Sequence, residues 1–265
     1  MSRSLAWCEY YAIDKFRLAH QMVRWRCGGR SLDTIDRRKR GHLAISERLP
    51  PGRDVPFPEA VVFDLDGLLI DTERLDWQAS KAVGVARGID VDDDFLRHTI
   101  GRRLVDIEPE FERRFGHAVR WPDFAREIGR WRDDYISRHG MPWKIGVIEL
   151  LDHLDRHGIP RALATSTVRE EAMARMGPLF SRMHTAAFGD DVAYGKPAPD
   201  IYLLAAERLG VPACRCLALE DSLPGVEAAE RAGLMVIMVP DLVPPPDGIS
   251  YVCQSLLSVR DWLIS

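Results

Sequence analysis

An apolar run that stops abruptly on two acids constrains this chain more than any other feature. Residues 60–63 read Ala-Val-Val-Phe, and Asp64, Leu65, Asp66 and Gly67 follow directly. Such a run is typical of a strand buried in a parallel sheet, and side chains two residues apart on an extended chain face the same side. Two adjacent carboxylates repel each other unless a cation lies between them or one is protonated. The segment therefore indicates Mg²⁺ with a carboxylate nucleophile, or an acid/base pair; the alternative is an Asp-rich surface turn.

From residue 56 onward, short apolar runs alternate with amphipathic helices. The predicted strands are 61–65, 161–164, 216–219 and 235–239. Helical spacing of i, i+3, i+4 and i+7 occurs twice, at Val147, Leu150, Leu151 and Leu154 and again, more loosely, at Ile201, Leu204, Ala205 and Leu209. Gly158 and Gly210 are the predicted stops of these helices. The alternation predicts an α/β fold with a doubly wound, Rossmann-like parallel sheet.

One long segment interrupts this alternation. Residues 75–144 are helical by pattern and hold several tryptophans, which we interpret mainly as the core of a helical bundle. Because the segment follows the acidic loop, we expect it to lie over the strand ends, where it would exclude water and select the substrate. The sequence thus predicts a helical cap domain at 75–144, inserted into an α/β core domain formed by 56–74 and 145–265.

The first 55 residues differ from the rest in composition. Residues 1–53 carry 12 Lys and Arg against 5 Asp and Glu, and a Leu-Pro-Pro-Gly stretch at 49–52 is typical of a linker. We interpret this part as an accessory or poorly ordered basic extension without a role in the chemistry, and a basic arm that binds RNA or acidic lipid is the alternative. It lacks an apolar core with a cleavage site, as a secretory signal would have.

Charge and cysteine content narrow the functional class. The net charge is −4, and because the N-terminal part is basic, the remainder is acidic. An acidic region is not typical of nucleic-acid binders, and no run is long enough to span a membrane. Five scattered cysteines match neither a zinc site nor a disulfide framework, so we expect a cytoplasmic protein. A monomer is compatible with these features.

Three later segments add polar side chains that suit phosphate or a cation, and two of these segments lie where predicted strands end. Thr165, Ser166 and Thr167 end the second predicted strand before a helix, an arrangement that binds phosphate or simply caps the helix. Lys196 lies between Gly195 and Pro197, where a fixed ammonium can offset charge on a carboxylate and a phosphoryl group, or remain a solvated loop residue. The third predicted strand ends in a second acidic pair, Glu220 and Asp221, which offers the oxygen ligands that Mg²⁺ prefers.

In this order and at these spacings, the four segments resemble the haloacid dehalogenase-like superfamily. The resemblance covers about residues 60–239 and is to the phosphatase and phosphomutase branch with a helical cap after the first strand. It implies roles for individual residues. Asp64 corresponds to the nucleophile that forms an aspartyl-phosphate, and Asp66 to the general acid/base whose backbone carbonyl also binds the metal. Thr165 and Ser166 correspond to the phosphate-binding hydroxyls, Lys196 to the charge-balancing lysine, Asp221 to a direct Mg²⁺ ligand, and Glu220 to a second ligand or an outer-shell partner.

The resemblance also implies a substrate class, a small phosphorylated metabolite. Within the branch, the β-phosphoglucomutase type carries a histidine where this chain has Asp76, and a Gly-x-x-Arg stretch where this chain has Arg103 one residue early and Arg102 two residues early. Both arginines are compatible with a contact to the substrate or with a solvated charge on the helical cap. Pseudouridine-5′-phosphatase-like members are more similar. We therefore expect a Mg²⁺-dependent phosphatase for a sugar phosphate or a nucleoside monophosphate. A β-phosphoglucomutase-like phosphomutase is the first alternative and a catalytically silent binding relative the second.

Overall fold

The computed structural model describes residues 26–27, 30–31, 57–116 and 119–264. The chain divides into two compact units, 1–45 and 46–265. In the first, β1 (Arg26–Cys27) and β2 (Arg30–Ser31) form a two-stranded antiparallel sheet. Apart from these strands, the predicted basic extension lies outside the described residues.

The second unit is built on a five-stranded parallel sheet with the order β5-β4-β3-β6-β7. Its strands are β3 (Ala60–Phe63), β4 (Arg161–Ala164), β5 (Thr185–Ala187), β6 (Cys216–Glu220) and β7 (Met235–Met238). The central strand β3 has β4 on one side and β6 on the other. This arrangement confirms the predicted α/β fold, and because β3 is central, the acids that follow it emerge in the middle of the sheet edge.

Helices fill the intervals between the strands. The α1–α4 group comprises Thr72–Arg87, Asp93–Thr99, Leu104–Phe115 and Trp121–His139. The α5–α9 group comprises Val147–Arg156, Arg169–Met176, Asp200–Leu209, Leu223–Ala232 and Leu256–Ile264. Both helices expected from apolar spacing are present: α5 ends two residues before Gly158, and α7 is capped by Gly210 in the left-handed conformation. No helix in the described ranges is long and apolar enough to cross a membrane.

The sheet is covered on both faces, as its side-chain alternation requires. Val61 and Phe63 of β3 belong to one hydrophobic cluster, which also contains buried residues of α5, α6 and α9. Ala60 and Val62 point the other way, into a cluster with α7 and α8. Both sets are fully buried, so the strand shows an uninterrupted apolar run rather than an alternating pattern.

Helices α1–α4 enclose a third hydrophobic cluster of their own. Phe95, Phe111 and Phe124 are buried in it, and Trp121 packs against Phe111 with ring centroids 5.0 Å apart. Trp77 and Trp131 lie against the same cluster. These tryptophans therefore stabilise the helical segment, as expected from the sequence.

The edge strand β5 was not predicted. Its three residues, Thr185–Ala187, contain no β-branched apolar run, and two alanines are compatible with either a helix or a strand. Pairing with β4 decides the conformation, since Leu163 and Ala164 are in register with Ala186 and Ala187. Tertiary context thus overrides a weak local preference.

Buried His153 on α5 is expected to make stability depend on pH. Its side chain is 2% exposed, and neither ring nitrogen has a partner in the described structure. Burial, together with His157, Arg156 and Arg260, lowers the pKa of this imidazole below its usual 6.5. The unfolded chain therefore binds the proton first, so the free energy of unfolding should fall as the pH drops below about 6.5.

Urea titrations of the wild type and of His153→Leu between pH 5 and 8 measure this effect. The variant should lose part of the slope below pH 6.5, whereas His98→Gln, at an exposed position, should keep it. Identical slopes in His153→Leu and the wild type would contradict the assignment.

Candidate active site

Three neighbouring strands deliver polar residues to one edge of the sheet. Phe63 of β3 is in register with Leu163 of β4 and Leu219 of β6, and the backbone N–H of Asp64 donates to the Leu219 carbonyl at 3.1 Å. The first residues beyond these strands therefore emerge side by side at their carboxyl ends. Asp64, Thr165 and Asp221 are all buried there, with exposed fractions of 5% or less.

Lys196 lies at the centre of this group. Its Nζ donates to Oδ1 of Asp64 and to Oε1 of Glu220, both at 2.5 Å, and the side chain has no exposed surface. A lysine buried in this way needs negative partners, because burial alone disfavours its charged form. The loop between β5 and α7 thus places one fixed positive charge between two acids.

Glu220 has both carboxylate oxygens occupied by protein donors. Oε1 accepts from Lys196 and from the Tyr202 hydroxyl at 2.5 Å. Oε2 accepts from the backbone N–H groups of Asp221 and Ser222, and from the Ser222 hydroxyl at 3.1 Å. Five donors leave this carboxylate little capacity for a cation, so its geometry is that of a group that orients Lys196.

Asp221 and its neighbours are arranged to receive a cation. Ligand oxygens of Asp64, Glu220 and Asp221 lie within 4.8 Å of one another, and Oδ1 of Asp221 and Oε2 of Glu73 are buried without hydrogen-bond partners. Gly67, at φ 83°, lets the backbone come so close to Asp221 that any side chain there would collide with Oδ2. Hard oxygen donors with unsatisfied lone pairs fit Mg²⁺.

The acids of this site carry more negative charge than Lys196 balances. Burial, with a contribution from Glu220, raises the pKa of Asp64 to about 8 despite the attraction of Lys196. Burial, with the charges of Asp66 and Asp64, raises the pKa of Glu73 well above its usual range, and burial with the charges of Glu73 and Glu220 does the same for Asp221. Burial lowers the pKa of Lys196, but Asp64 and Glu220 outweigh it, so the net shift is upward. A divalent cation would relieve this repulsion.

Asp66 lies in a separate hydrogen-bond group. Its Oδ2 accepts from the Thr167 hydroxyl at 2.7 Å, and its Oδ1 accepts from Thr72 at 2.5 Å and Arg175 at 2.6 Å. Burial raises the pKa of Asp66, but Arg175 and the two hydroxyls more than compensate, so the pKa lies below its usual range. The surroundings of Asp66 therefore favour its ionised form, whereas those of Asp64, two residues earlier, disfavour its charged form unless a cation offsets them.

The side chain of Ser166 faces the helical segment. Its hydroxyl donates to the carbonyl of Gly101 at 2.9 Å, and the N–H of Gly101 donates to Oε1 of Glu73 at 3.3 Å. Thr165 accepts a hydrogen bond from the backbone N–H of Thr167 at 3.0 Å. The loop at 100–103 thus lies directly over the strand ends that carry Thr165 and Ser166.

Arg103 is committed to structural contacts. It forms an ion pair with Asp106 at 2.8 Å and donates to the carbonyls of Gly189, Val192 and Ala193 at 3.1–3.3 Å. The sequence is compatible with a substrate contact or with a solvated position for Arg103. In the structure its guanidinium group is instead bonded to Asp106 and to backbone carbonyls. It ties the loop of the helical segment to the chain just before Lys196.

Sequence reasoning missed two residues of the site. Tyr202 and Arg175 lie on α7 and α6 and reach Glu220 and Asp66, respectively. The only local signal for Arg175 was its spacing of four residues from Glu171, with which it pairs at 2.9 Å. Helical spacing indicates such a partner, but it does not indicate which distant loop the helix face meets.

Comparison with known proteins identifies the family of this chain. A family model described as haloacid dehalogenase-like hydrolase matches residues 58–233. A probable pseudouridine-5'-phosphatase from Drosophila melanogaster is 35% identical over 76% of this chain and 90% of its own length. The protein CbbY from Rhodobacter capsulatus is 32% identical over 78% of this chain and 92% of its own length.

A solved structure is similar in three dimensions as well. Crystalline CbbY from Rhodobacter sphaeroides in complex with phosphate superposes with a TM-score of 0.64 at 30% identity, over 76% of this chain and 96% of that one. The resemblance inferred from the four segments is thereby confirmed. The chain is an enzyme of the haloacid dehalogenase-like hydrolase family.

Proposed function

We propose that this protein is a Mg²⁺-dependent phosphatase that hydrolyses a small phosphate monoester, a sugar phosphate or a nucleoside monophosphate. The observation that carries the proposal is Lys196, buried and held at 2.5 Å from both Asp64 and Glu220, beside an acid with an unpartnered oxygen. A carboxylate attacks an anionic phosphate only if nearby positive charge removes the repulsion between them. This edge of the sheet combines a carboxylate, a fixed ammonium and oxygen ligands for a cation.

In the first step, a carboxylate oxygen of Asp64 attacks phosphorus. The new bond between this oxygen and phosphorus forms as the ester bond to the leaving alcohol breaks, which yields an aspartyl-phosphate. Lys196 balances negative charge on the phosphoryl oxygens, and the Thr165 and Ser166 region at the end of β4 binds them. Mg²⁺, held by Asp64, Asp221 and the Asp66 carbonyl with Glu220 as an outer partner, would supply further positive charge to these oxygens.

Asp66 moves the proton in both steps. It protonates the leaving oxygen, and in the second step it accepts the proton of the water that attacks phosphorus and releases Asp64. Asp66 enters the first step protonated, and contacts with Thr72, Thr167 and Arg175 stabilise the ionised form that it takes before it accepts the proton of the water. The pair of acids recognised in the sequence thus divides into a nucleophile and a proton carrier with different surroundings.

The helical segment 75–144 is proposed to act as a cap domain on the core formed by 56–74 and 145–265. Contacts from Gly101 to Ser166 and from Arg103 to the chain before Lys196 support this assignment, since they cover the strand ends. A covered site excludes bulk water and strengthens the electrostatic interactions inside it. We propose the cytoplasm as the compartment, because the scattered cysteines do not form the pattern of a disulfide framework.

The two alternatives are weaker. In a phosphomutase the aspartyl-phosphate passes to a second sugar hydroxyl, and the histidine typical of that type is replaced by Asp76, which is paired with Arg132 at 2.9 Å. A silent binding relative would be expected to lack one of the four central residues, and Asp64, Asp66, Lys196 and Asp221 are all present. Hydrolysis therefore remains the function that the site supports best.

Phosphate release is expected to depend completely on Mg²⁺. The purified protein should hydrolyse p-nitrophenyl phosphate and at least one sugar or nucleoside monophosphate with Mg²⁺, and EDTA should abolish turnover until excess Mg²⁺ is added back. Because the cation binds only the folded site, Mg²⁺ should also raise the melting temperature. A phosphate-release assay and a thermal melt measure both effects.

A substrate of the mutase type completes the test. With β-glucose 1-phosphate and a glucose bisphosphate primer, free phosphate indicates hydrolysis, whereas glucose 6-phosphate would indicate the mutase. Turnover that survives EDTA would contradict the proposed metal dependence, and no turnover of any monoester would favour the silent relative.

A further inference from the structure

Next to Asp66 lies an array of alternating charges, of which the mechanism uses only Arg175. Arg175 on α6 bonds to Asp66 at 2.6 Å and to Glu171 at 2.9 Å. Glu171 approaches Arg132 of α4 at 3.9 Å, and Nη1 of Arg132 donates to both oxygens of Asp76 at 2.9 Å. Helices of the proposed cap and core each contribute two members.

The array combines buried cations with accessible acids. The side chains of Arg132 and Arg175 are each 11% exposed, whereas Asp76 is 37% and Glu171 44% exposed. With Asp66, three carboxylates surround two guanidinium groups, and the two more exposed carboxylates belong to Asp76 and Glu171. Each arginine already has carboxylate partners, so neither is free to bind an incoming anion.

The position of the array relates it to the leaving group. Under the proposed function, on which this inference rests, Asp66 gives its proton to the oxygen that leaves phosphorus. The alcohol attached to that oxygen must then lie beside Asp66. The other members of the array extend from Asp66 through successive contacts, in the order Arg175, Glu171, Arg132 and Asp76.

We propose that this array makes the enzyme select phosphate monoesters whose alcohol portion is uncharged and rich in hydroxyl groups. Hydroxyl groups can donate to Asp76 and Glu171 and accept from the arginines, so an uncharged alcohol is satisfied on both sides. A second phosphate or a carboxylate at the same place meets the accessible carboxylates of Asp76 and Glu171, and both arginines are already paired. Asp76 and Glu171 are thus specificity-determining residues that reject a second anionic group.

Two matched substrates test the inference. Glycerol 3-phosphate and 3-phosphoglycerate differ only in a terminal hydroxymethyl group or carboxylate. We expect kcat/KM to favour glycerol 3-phosphate by about tenfold or more, as one unit charge at roughly 6 Å in a partly solvated site would produce. The ratio should fall several-fold in Glu171→Gln and in Asp76→Asn, because each variant removes one repelling charge and frees an arginine.

The ratio of the kcat/KM values for the two substrates distinguishes a role in specificity from a structural role. Loss of Glu171 alters the surroundings of Arg175 and can change both rates together, but only a specificity role moves their ratio. The control is Glu170→Gln, which removes the same charge from the exposed neighbouring position and should leave the ratio unchanged.

Two outcomes would overturn the inference while the proposed function stands. One is equal or better use of 3-phosphoglycerate by the wild type, which would indicate an available cation such as Arg102. The other is an unchanged ratio in both variants. Failure to hydrolyse p-nitrophenyl phosphate with Mg²⁺ would instead refute the proposed function itself.

Discussion

Replacing Asp64 by asparagine is expected to abolish phosphate release. The amide cannot form the bond to phosphorus, so turnover should fall by roughly four to six orders of magnitude, as when other enzymes lose a nucleophile. The fold should survive, because asparagine has nearly the shape of aspartate and its Oδ1 can still accept the hydrogen bond from Lys196. Phosphate release under Mg²⁺ saturation and a thermal melt measure the two effects.

Controls decide how the Asp64 result is interpreted. Asp90→Asn removes a carboxylate from an exposed position in the helical segment and should keep full activity. Mass spectrometry of the Asp64→Asn protein is needed, since deamidation would restore the acid. Substantial turnover by protein that is shown to retain the amide would rule out Asp64 as the nucleophile.

The convergence of three of the four segments could be predicted because strand geometry alone determines it, whereas Lys196 lies in the loop after β5, a strand that was not predicted. Parallel strands end at one edge, so residues that follow β3, β4 and β6 must emerge together if the strands are adjacent. Period-two alternation then places Val61 and Phe63 on one face and Ala60 and Val62 on the other. The apolar runs and the acids that end them contain most of this information.

Contacts between helices and distant loops could not be predicted in this way. Arg175 reaches Asp66, and Arg132 reaches Asp76, across 109 and 56 positions of the chain. Such pairs depend on how helices are rotated and stacked, which side-chain packing determines in three dimensions. For the same reason, the sequence does not predict that Arg103 binds backbone carbonyls and is compatible with either a substrate contact or a solvated position.

The division of roles between Asp64 and Asp66 is implied by family resemblance, and the structure shows that the two acids have different surroundings. Sequence places both acids two residues apart and cannot rank their pKa values. Arg175 and two threonine hydroxyls lower the pKa of Asp66, whereas burial raises that of Asp64 to about 8. Titratable neighbours whose surroundings push their pKa values apart are typical of acid/base pairs with separate functions.

Replacing Lys196 by methionine is expected to impair both catalysis and stability. Methionine fills the buried space but removes the ammonium that lies 2.5 Å from Asp64 and from Glu220. Loss of charge balance at the phosphoryl group should lower kcat/KM by about 10²–10³-fold, the effect of deleting one transition-state donor. Without metal, the unpaired carboxylates should also cost about 3–5 kcal/mol of unfolding free energy, as for other broken buried ion pairs.

Mg²⁺ distinguishes this electrostatic explanation from a packing defect. If the methionine variant is unstable because Asp64 and Asp221 repel each other, saturating Mg²⁺ should recover a large part of the lost stability, since the cation takes over the missing positive charge. A packing defect would persist with and without the metal.

The control is Lys81→Met, which removes a half-exposed lysine paired with Asp93 at 2.8 Å. It should change the free energy of unfolding by no more than about 1 kcal/mol, in EDTA or in Mg²⁺. Urea titrations in EDTA and in Mg²⁺, with kcat/KM for p-nitrophenyl phosphate, provide the comparison. A Lys196→Met protein with wild-type stability in EDTA and wild-type activity in Mg²⁺ would show that this lysine balances no charge at the site.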